Sequence, residues 1–195
     1  MIKNFLTALT ITLLATMIIS SCQTTANAFK LNLLKSINLP NHFALIRHAH
    51  APGTGDPLNF TLGDCTTQRN LDYFGRIQAK QIGELLKRNG VSFADIFSSE
   101  WCRCKETAQL LNIGNVKTLP ALNSFYQFPE NKLKQIASLR NFIANQQLTK
   151  PIIFVTHFVN IGALTGIYPK SGNIVVVRRE KNGMLSVLGE IDTSE

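Results

Sequence analysis

Short apolar runs alternate with amphipathic segments along most of this chain, and the alternation limits the folds that it can adopt. Segments with helical spacing lie at Tyr73–Arg88, about Glu100–Leu111, Glu130–Gln146 and about Asn160–Thr165. Runs of strand length and character lie before, between and after them, at His42–Arg47, Phe93–Phe97, Val116–Leu119, Pro151–Thr156, Asn173–Arg179 and Leu185–Glu190. This order predicts an α/β fold, a three-layer α/β/α sandwich with a mostly parallel central sheet.

The amino-acid composition limits the classes of protein to which this chain can belong. Apolar residues make up 45% of the chain and charged residues 16%, which excludes a disordered chain and a coiled-coil rod. The formal charge of +8 predicts attraction to anions, such as a phosphorylated ligand. The basic residues are dispersed rather than arranged in a stripe with aromatic residues, so nucleic acid is not an expected partner. We predict no cofactor.

The N-terminal segment is typical of an export signal. Lys3 precedes an uncharged run over residues 5–19, which is short for a membrane span but suits the apolar part of a signal peptide. Cys22 follows a bacterial lipoprotein-like processing site and is a candidate for lipidation, whereas Ala26-Asn27-Ala28 resembles an ordinary cleavage site. An uncleaved anchor is the third alternative. We therefore predict a signal peptide over 1–21, a linker over 22–37, a domain over 38–195, and a periplasmic location with a lipid anchor in the membrane.

The remaining cysteines favour a disulfide over a metal site. An oxidising compartment stabilises disulfides, and a fourth ligand for zinc is absent from the sequence at any familiar spacing. Cys102 and Cys104 are two residues apart on a predicted helix and point in different directions. We predict that Cys65 pairs with Cys102 or Cys104, the alternative being three free thiols.

Candidate functional residues follow three predicted strands, each at its C-terminal end. Arg47 and His48 follow the first strand, Ser99 and Arg103 the second, and His157 the run Pro151–Thr156. Ligands of α/β sheets bind at this edge. Each residue alone is more often structural, but two histidines and two arginines at one edge indicate an anion site.

The surrounding motifs resemble those of the histidine phosphatase superfamily, which has the phosphoglycerate mutase-like fold. Leu45-Ile46-Arg47-His48-Ala49 is similar to its Arg-His-Gly motif, and Asn70–Ala79 to the opening of its leucine–glycine–glutamine helix. Ser98–Ala108 is similar to its second-arginine segment, and Val155-Thr156-His157 to its second-histidine strand. The four blocks occur in the family's order over residues 42–190.

The resemblance implies a role for each candidate. His48 would attack phosphorus and form a phosphohistidine, while Arg47, Arg103 and His157 would bind the phosphoryl oxygens. Arg69 and Ser99 are candidates for binding the substrate. These positive groups supply the charge that a metal supplies elsewhere, so we expect no metal.

The sequence departs from the family pattern at the proton donor. Neither the stretch Leu119–Phe125 nor Phe158, directly after the second histidine, provides the expected acid. Asp56 and Glu100 are weak substitutes, and a solvated surface carboxylate is the simpler interpretation of both. We predict an exported phosphatase that hydrolyses phosphate monoesters or phosphoramidates through His48, on a phosphorylated small molecule or an envelope glycan or protein.

The same fold also allows two other functions. The missing acid allows a catalytically weak or inactive lipoprotein that binds phosphorylated ligands. A phosphomutase is disfavoured, since it needs covering loops for which this chain is too short.

Overall fold

The computed structural model of this protein describes residues 27–194. The predicted signal peptide over 1–21 and the candidate lipidation site Cys22 lie outside that range. The chain divides into two compact units at residue 32, and residues 27–32 of the first unit are helical. Within residues 27–194 no helix is both long and apolar enough to cross a membrane.

One six-stranded mixed sheet organises the second unit. Its strands are β1 (His42–Arg47), β2 (Asp95–Ser98), β3 (Val116–Thr118), β4 (Ile152–Thr156), β5 (Ile174–Arg179) and β6 (Leu185–Ile191). The order across the sheet is β3-β2-β4-β1-β5-β6. The first four strands in this order run parallel. β5 pairs antiparallel with β1, and β6 pairs antiparallel with β5, so β5 is the one strand of the described sheet that runs in the opposite direction. The prediction of a mostly parallel sheet is confirmed.

Both faces of this sheet are covered by helices, namely α2 (Tyr73–Arg88), α3 (Cys102–Leu111), α4 (Lys132–Ala144) and α5 (Phe158–Thr165). They are preceded in the chain by α1 (residues 27–36). Side chains of β1 alternate between two cores, with Ala44 and Ile46 in the core beside α2 and α3. Phe43 and Leu45 lie in the core beside α4 and α5. The predicted three-layer sandwich is therefore confirmed.

The structure corrects the assignment of some apolar residues to the core. Helical spacing places Phe74, Ile77 and Leu133 on the apolar stripes of α2 and α4, but their exposed fractions are 69%, 36% and 83%. The first large apolar side chains that are buried are Ile82 in α2 and Leu139 in α4. Helical spacing identifies the apolar stripe but not where the helix first meets the sheet.

Burial also begins earlier in the chain than expected. Leu33, Leu34 and Ile37 belong to the core, although the domain was predicted to start at residue 38. The described part of the predicted linker is helical from residue 27 to 36. Apolar packing therefore makes residues 33–37 part of the domain.

Candidate active site

The ends of three neighbouring parallel strands bring the candidate residues together. Arg47 of β1 pairs in register with Thr156 of β4, and Ser98 of β2 pairs with Val155. His48, Ser99 and His157 are the next residues along these strands, so they emerge at one edge. The imidazole centroids of His48 and His157 lie 5.5 Å apart. The predicted convergence is confirmed.

The convergent side chains line a cavity of about 210 Å³. Both imidazoles and all three arginines predicted for the site contribute to its wall, namely Arg47, His48, Arg69, Arg103 and His157. Other grooves on the described surface are larger, at about 260, 360, 680 and 710 Å³, but these residues line none of the four. We assign the smaller cavity as the candidate site because the reactive groups face it.

His48 is held in one tautomer by its own backbone neighbour. Its Nδ1 lies 2.8 Å from the carbonyl oxygen of Ala49. A carbonyl only accepts hydrogen bonds, so Nδ1 carries the proton and Nε2 keeps its lone pair. Burial, reinforced by the charge of Arg103, lowers the pKa of His48 well below its usual value. The imidazole is therefore neutral and nucleophilic.

The loop after His48 is positioned by α2. Gln78 accepts a hydrogen bond from the backbone N–H of His50 (2.9 Å) and donates one to the carbonyl oxygen of Ser171 (2.8 Å). Gly75 packs so closely that a β-carbon there would lie 1.9 Å from the carbonyl oxygen of His50. Leu71 is buried with Ala49 in a small apolar cluster. These contacts explain physically why leucine, glycine and glutamine occur together in this motif.

Arg47 keeps part of its guanidinium free for a ligand. Its Nη1 donates to the carbonyl oxygen of Pro169 (2.9 Å), and Cζ lies 5.1 Å from the ring centroid of Phe158. Its Nε is buried and has no hydrogen-bond partner among the described residues. Burial, with the charge of Arg103, lowers the pKa of Arg47. An anion in the cavity would relieve both the repulsion and the unmet hydrogen bond.

Arg103 is bound by a carboxylate that was expected at the surface. Nη1 and Nη2 lie 2.8 and 3.0 Å from Oδ1 and Oδ2 of Asp56, and both side chains are almost fully buried. The backbone N–H of Arg69 and Nε1 of Trp101 donate to the same carboxylate. The interpretation of Asp56 as a solvated carboxylate is wrong, because four donors hold it inside the protein.

Those donors also decide the protonation of Asp56. Burial opposes ionisation, but the hydrogen bonds and the charge of Arg103 outweigh it and lower the pKa of Asp56. Nε of Arg103 is buried and lacks a partner within residues 27–194. Asp56 is consequently a fixed anion that positions Arg103, and it is unsuited to the role of general acid.

His157 and Ser99 form a second buried arrangement. Nε2 of His157 lies 3.0 Å from the hydroxyl of Ser99 and 3.4 Å from the thiol of Cys104. Burial and the charge of Arg103 lower the pKa of His157 well below its usual value, so the ring is neutral.

Ser99 does not reach the cavity that it was predicted to line. The residue is fully buried, and its hydroxyl accepts from the backbone N–H of Trp101 and donates to Asn123. It is a positioning residue for His157 and not a ligand-binding one. Nor does it cap α3, which begins at Cys102 after Trp101 without a side-chain cap.

Arg69 is part of the cavity, as predicted. Its Nε donates to the carbonyl oxygen of Gly55 (2.8 Å), which fixes the loop around the site. Burial and the neighbouring Arg103 lower the pKa of Arg69 to about 10. Glu100 is instead bound to Asn123, whose Nδ2 donates to its carboxylate (2.6 Å). It does not line the cavity.

The cysteine alternatives are resolved. Cys65 and Cys102 form a disulfide with a Cα–Cα distance of 5.6 Å. Cys104 is free and buried, and burial raises the pKa of its thiol to about 12. The disulfide joins the loop that follows His48 to the residue before Arg103. Within the described range, no group of three or more His, Cys, Asp or Glu side chains could hold a metal.

Sequence similarity agrees with this geometry. Residues 43–126 match the profile of the histidine phosphatase superfamily, branch 1. The match spans 84 of the 195 residues and includes His48 and Arg103, whereas His157 lies beyond it. No curated protein matches the chain in sequence.

Solved structures of the same superfamily fold share little sequence with this chain. A putative phosphohistidine phosphatase SixA from Agrobacterium tumefaciens has a TM-score of 0.54 at 17% identity, covering 80% of this chain and 99% of its own. A phosphoserine phosphatase mutant from Entamoeba histolytica, in complex with phosphoserine, has a TM-score of 0.55 at 18% identity, covering 78% and 98%. A putative alpha-ribazole-5'-P phosphatase from Escherichia coli has a TM-score of 0.56 at 19% identity, covering 75% and 94%. These likenesses establish the phosphoglycerate mutase-like fold.

Proposed function

We propose that this protein is a phosphatase that transfers a phosphoryl group to His48 and then to water. One observation carries the proposal: the free Nε2 of a neutral His48 faces a cavity lined by three arginines. Guanidinium groups stabilise the charge that spreads over phosphoryl oxygens in the transition state. The SixA and phosphoserine phosphatase structures support phosphate chemistry on this fold.

The arrangement accounts for both half-reactions. In the first, the Nε2 lone pair forms the N–P bond while the ester P–O bond breaks and its electrons leave with the alcohol oxygen. In the second, water attacks phosphorus, the P–N bond breaks and its electrons return to Nε2. The guanidinium groups of Arg47 and Arg103 line the cavity and can hold the phosphoryl oxygens through both steps.

Phosphate release tests this function. Wild-type protein should release phosphate from p-nitrophenyl phosphate, and His48→Ala should lose that activity. His50→Ala is the matched control, because His50 is two residues away, exposed, and directed at Asp72 rather than into the cavity. Equal turnover by wild type and His48→Ala would refute the phosphohistidine route.

A binding module is the second candidate, favoured by the absence of a protonated carboxyl group from the described residues of the cavity. A phosphate analogue such as tungstate would then raise the melting temperature in wild type but not in Arg103→Ala. Such binding, together with no phosphate release from any substrate over hours, would identify a phospho-ligand-binding protein.

We further propose that the protein acts outside the cytoplasm, on a phosphorylated small molecule or an envelope glycan or protein. The apolar run over residues 5–19 and the Cys65–Cys102 disulfide support this location, since disulfides persist in oxidising compartments. Cell fractionation tests it. A membrane-bound wild type and a Cys22→Ser variant released from the membrane would support the lipid anchor, whereas cytoplasmic protein would contradict export.

A further inference from the structure

An aromatic row extends outward from the phosphate cavity. Tyr126 and Phe158 line the cavity, and their ring centroids lie 5.7 Å apart. Tyr168 continues the row, 6.4 Å from Phe158. Tyr126 and Tyr168 have exposed fractions of 46% and 64%, so their faces are accessible to a ligand. Rings of this kind prefer to pack against other planar rings.

The row has a fixed position relative to the arginines. Phe158 lies under the guanidinium of Arg47, 5.1 Å from Cζ to the ring centroid. A phosphoryl group bound by Arg47 would therefore lie close to Phe158. The part of the cavity wall next to Arg47 is aromatic, and an ester substituent directed toward it would contact these rings.

The described lining of the cavity offers neither a protonated carboxyl group nor an imidazolium to protonate the leaving group. Among the described residues, Asp56 is the one carboxylate in its lining, and four hydrogen bonds hold it in the ionised form. Both imidazoles are neutral, with Nδ1 of His48 and Nε2 of His157 engaged inside the protein. An ester must then leave without help from a carboxylic acid or an imidazolium.

Leaving groups differ greatly in how much they need that help. A phenol such as tyrosine has a pKa of about 10, so phenolate is a tolerable leaving group. An aliphatic alkoxide is roughly as basic as hydroxide, whose conjugate acid has a pKa of about 15.7, and it needs a proton as it departs. General acid catalysis is commonly worth about 100-fold or more in rate, and aliphatic esters would forgo that factor here.

The net charge of the cavity favours the departure of a phenolate over that of a positively charged leaving group. Three guanidinium groups against one carboxylate leave an excess of positive charge. This field stabilises the negative charge that develops on a departing phenolate. It destabilises an imidazolium, the form in which the ring of phosphohistidine leaves most readily.

We propose that the site is selective for aryl phosphate monoesters, the chemistry presented by a phosphotyrosine side chain or a small aryl phosphate. This inference rests on the proposed phosphatase function. Nε2 of His48 forms the N–P bond, the aryl P–O bond breaks, and its electron pair leaves on the phenolate oxygen, which takes a proton from water. Water then cleaves the P–N bond, giving inorganic phosphate and restoring the Nε2 lone pair.

A substrate series tests the selectivity. The value of kcat/KM is measured for phenyl phosphates with substituents of graded acidity, for phosphotyrosine, and for phosphoserine and an alkyl phosphate. The inference predicts a steep fall in kcat/KM as the leaving-group pKa rises, and at least about 100-fold preference for aryl over alkyl esters. A flat dependence, or alkyl esters and phosphohistidine turned over as fast as aryl esters, would overturn it.

Variants distinguish the contribution of the aromatic row to kcat/KM from that of the rest of the site. Tyr126→Ala should lower kcat/KM for phenyl phosphate by about two- to tenfold while changing that for an alkyl phosphate little. Tyr73→Ala is the matched control, since Tyr73 is also an exposed tyrosine but does not line the cavity. An equal loss on both substrate classes in Tyr126→Ala would show a merely structural role and contradict the inference.

Two further measurements identify the origin of the aryl ester and show which of the two proposals a negative result refutes. Faster turnover of a phosphotyrosyl peptide than of free phosphotyrosine would support a protein-borne ester, and equal rates a small aryl phosphate. Release from no substrate at all would refute the phosphatase function itself. Release without aryl preference would refute the selectivity alone.

Discussion

At the scale of single residues, the ion pair of Asp56 and Arg103 organises the site. Asp56 joins the guanidinium to the indole of Trp101 and to the backbone of Arg69, so one carboxylate fixes two loops. Removing one partner of a buried pair leaves the other charge without compensation. The pair is therefore a feature of both stability and ligand binding.

Asp56→Asn should lower the free energy of unfolding by about 3 kcal/mol, because the charge of Arg103 stays buried and unpaired. Added phosphate or vanadate should raise the melting temperature more in this variant than in wild type, since the anion replaces the lost carboxylate. Urea and thermal unfolding measure both effects.

Glu106→Gln is the control, because its pair with Arg76 is much more exposed and should contribute little. A stability of Asp56→Asn equal to that of wild type would contradict a structural ion pair.

The two buried imidazoles predict how stability changes with pH. Burial lowers the pKa of His48 and His157 in the folded protein, whereas the unfolded chain has the usual value of about 6.5. Below that pH only the unfolded chain takes up these protons, so the free energy of unfolding should fall with falling pH. Each imidazole contributes at most about 1.4 kcal/mol per pH unit.

Urea unfolding between pH 7 and 5 measures this slope. The ion pair of Asp56 does not account for this slope, since the lowered pKa of Asp56 changes the free energy of unfolding only below about pH 4. His48→Asn should reduce the slope. A free energy of unfolding that stays constant over this range would contradict the neutral, buried state of both rings.

At the scale of elements, α2 sets the position of the nucleophile's loop. Its bounds, Tyr73–Arg88, were predicted correctly because local signals mark them: Asp72 caps the start, and Asn89-Gly90 ends the helix. The exposed faces of Phe74 and Ile77 were not predicted, since the sequence does not reveal where a helix diverges from the sheet.

Gly75→Ala should displace α2 from the loop, because the added methyl would overlap the carbonyl group of His50. We expect a lower melting temperature and at least about tenfold lower kcat/KM, since small displacements of reacting groups reduce rates strongly. Lys80→Ala on the exposed side of the same helix should change neither. Unaltered activity in Gly75→Ala would contradict this role of the close contact.

The disulfide joins Cys65 to Cys102, the partner that the sequence did not distinguish from Cys104. It closes a segment between residues 37 positions apart, for which the chain-entropy account gives about 4 kcal/mol. A Cys65→Ser and Cys102→Ser double variant should lose up to this amount of unfolding free energy in urea. A reductant should destabilise wild type but not the double variant; equal effects on both would contradict the bond.

At the scale of the whole molecule, the site was predictable as a set of strand ends but not as a set of contacts. Arg47, His48, Arg103 and His157 follow parallel strands, so the fold alone brings them to one edge. The pairing of Asp56 with Arg103 joins residues 47 positions apart, and local sequence carries no signal for it. The same holds for the burial of Ser99 behind His157.

The proposed activity of the protein depends on one covalent step, the phosphorylation of His48. The most direct test incubates the protein with labelled aryl phosphate, quenches the reaction rapidly, and maps the label. We predict acid-labile, base-stable label on His48, absent from His48→Ala and discharged by water as inorganic phosphate. Turnover without any label on His48, or label on a different residue, would contradict the account.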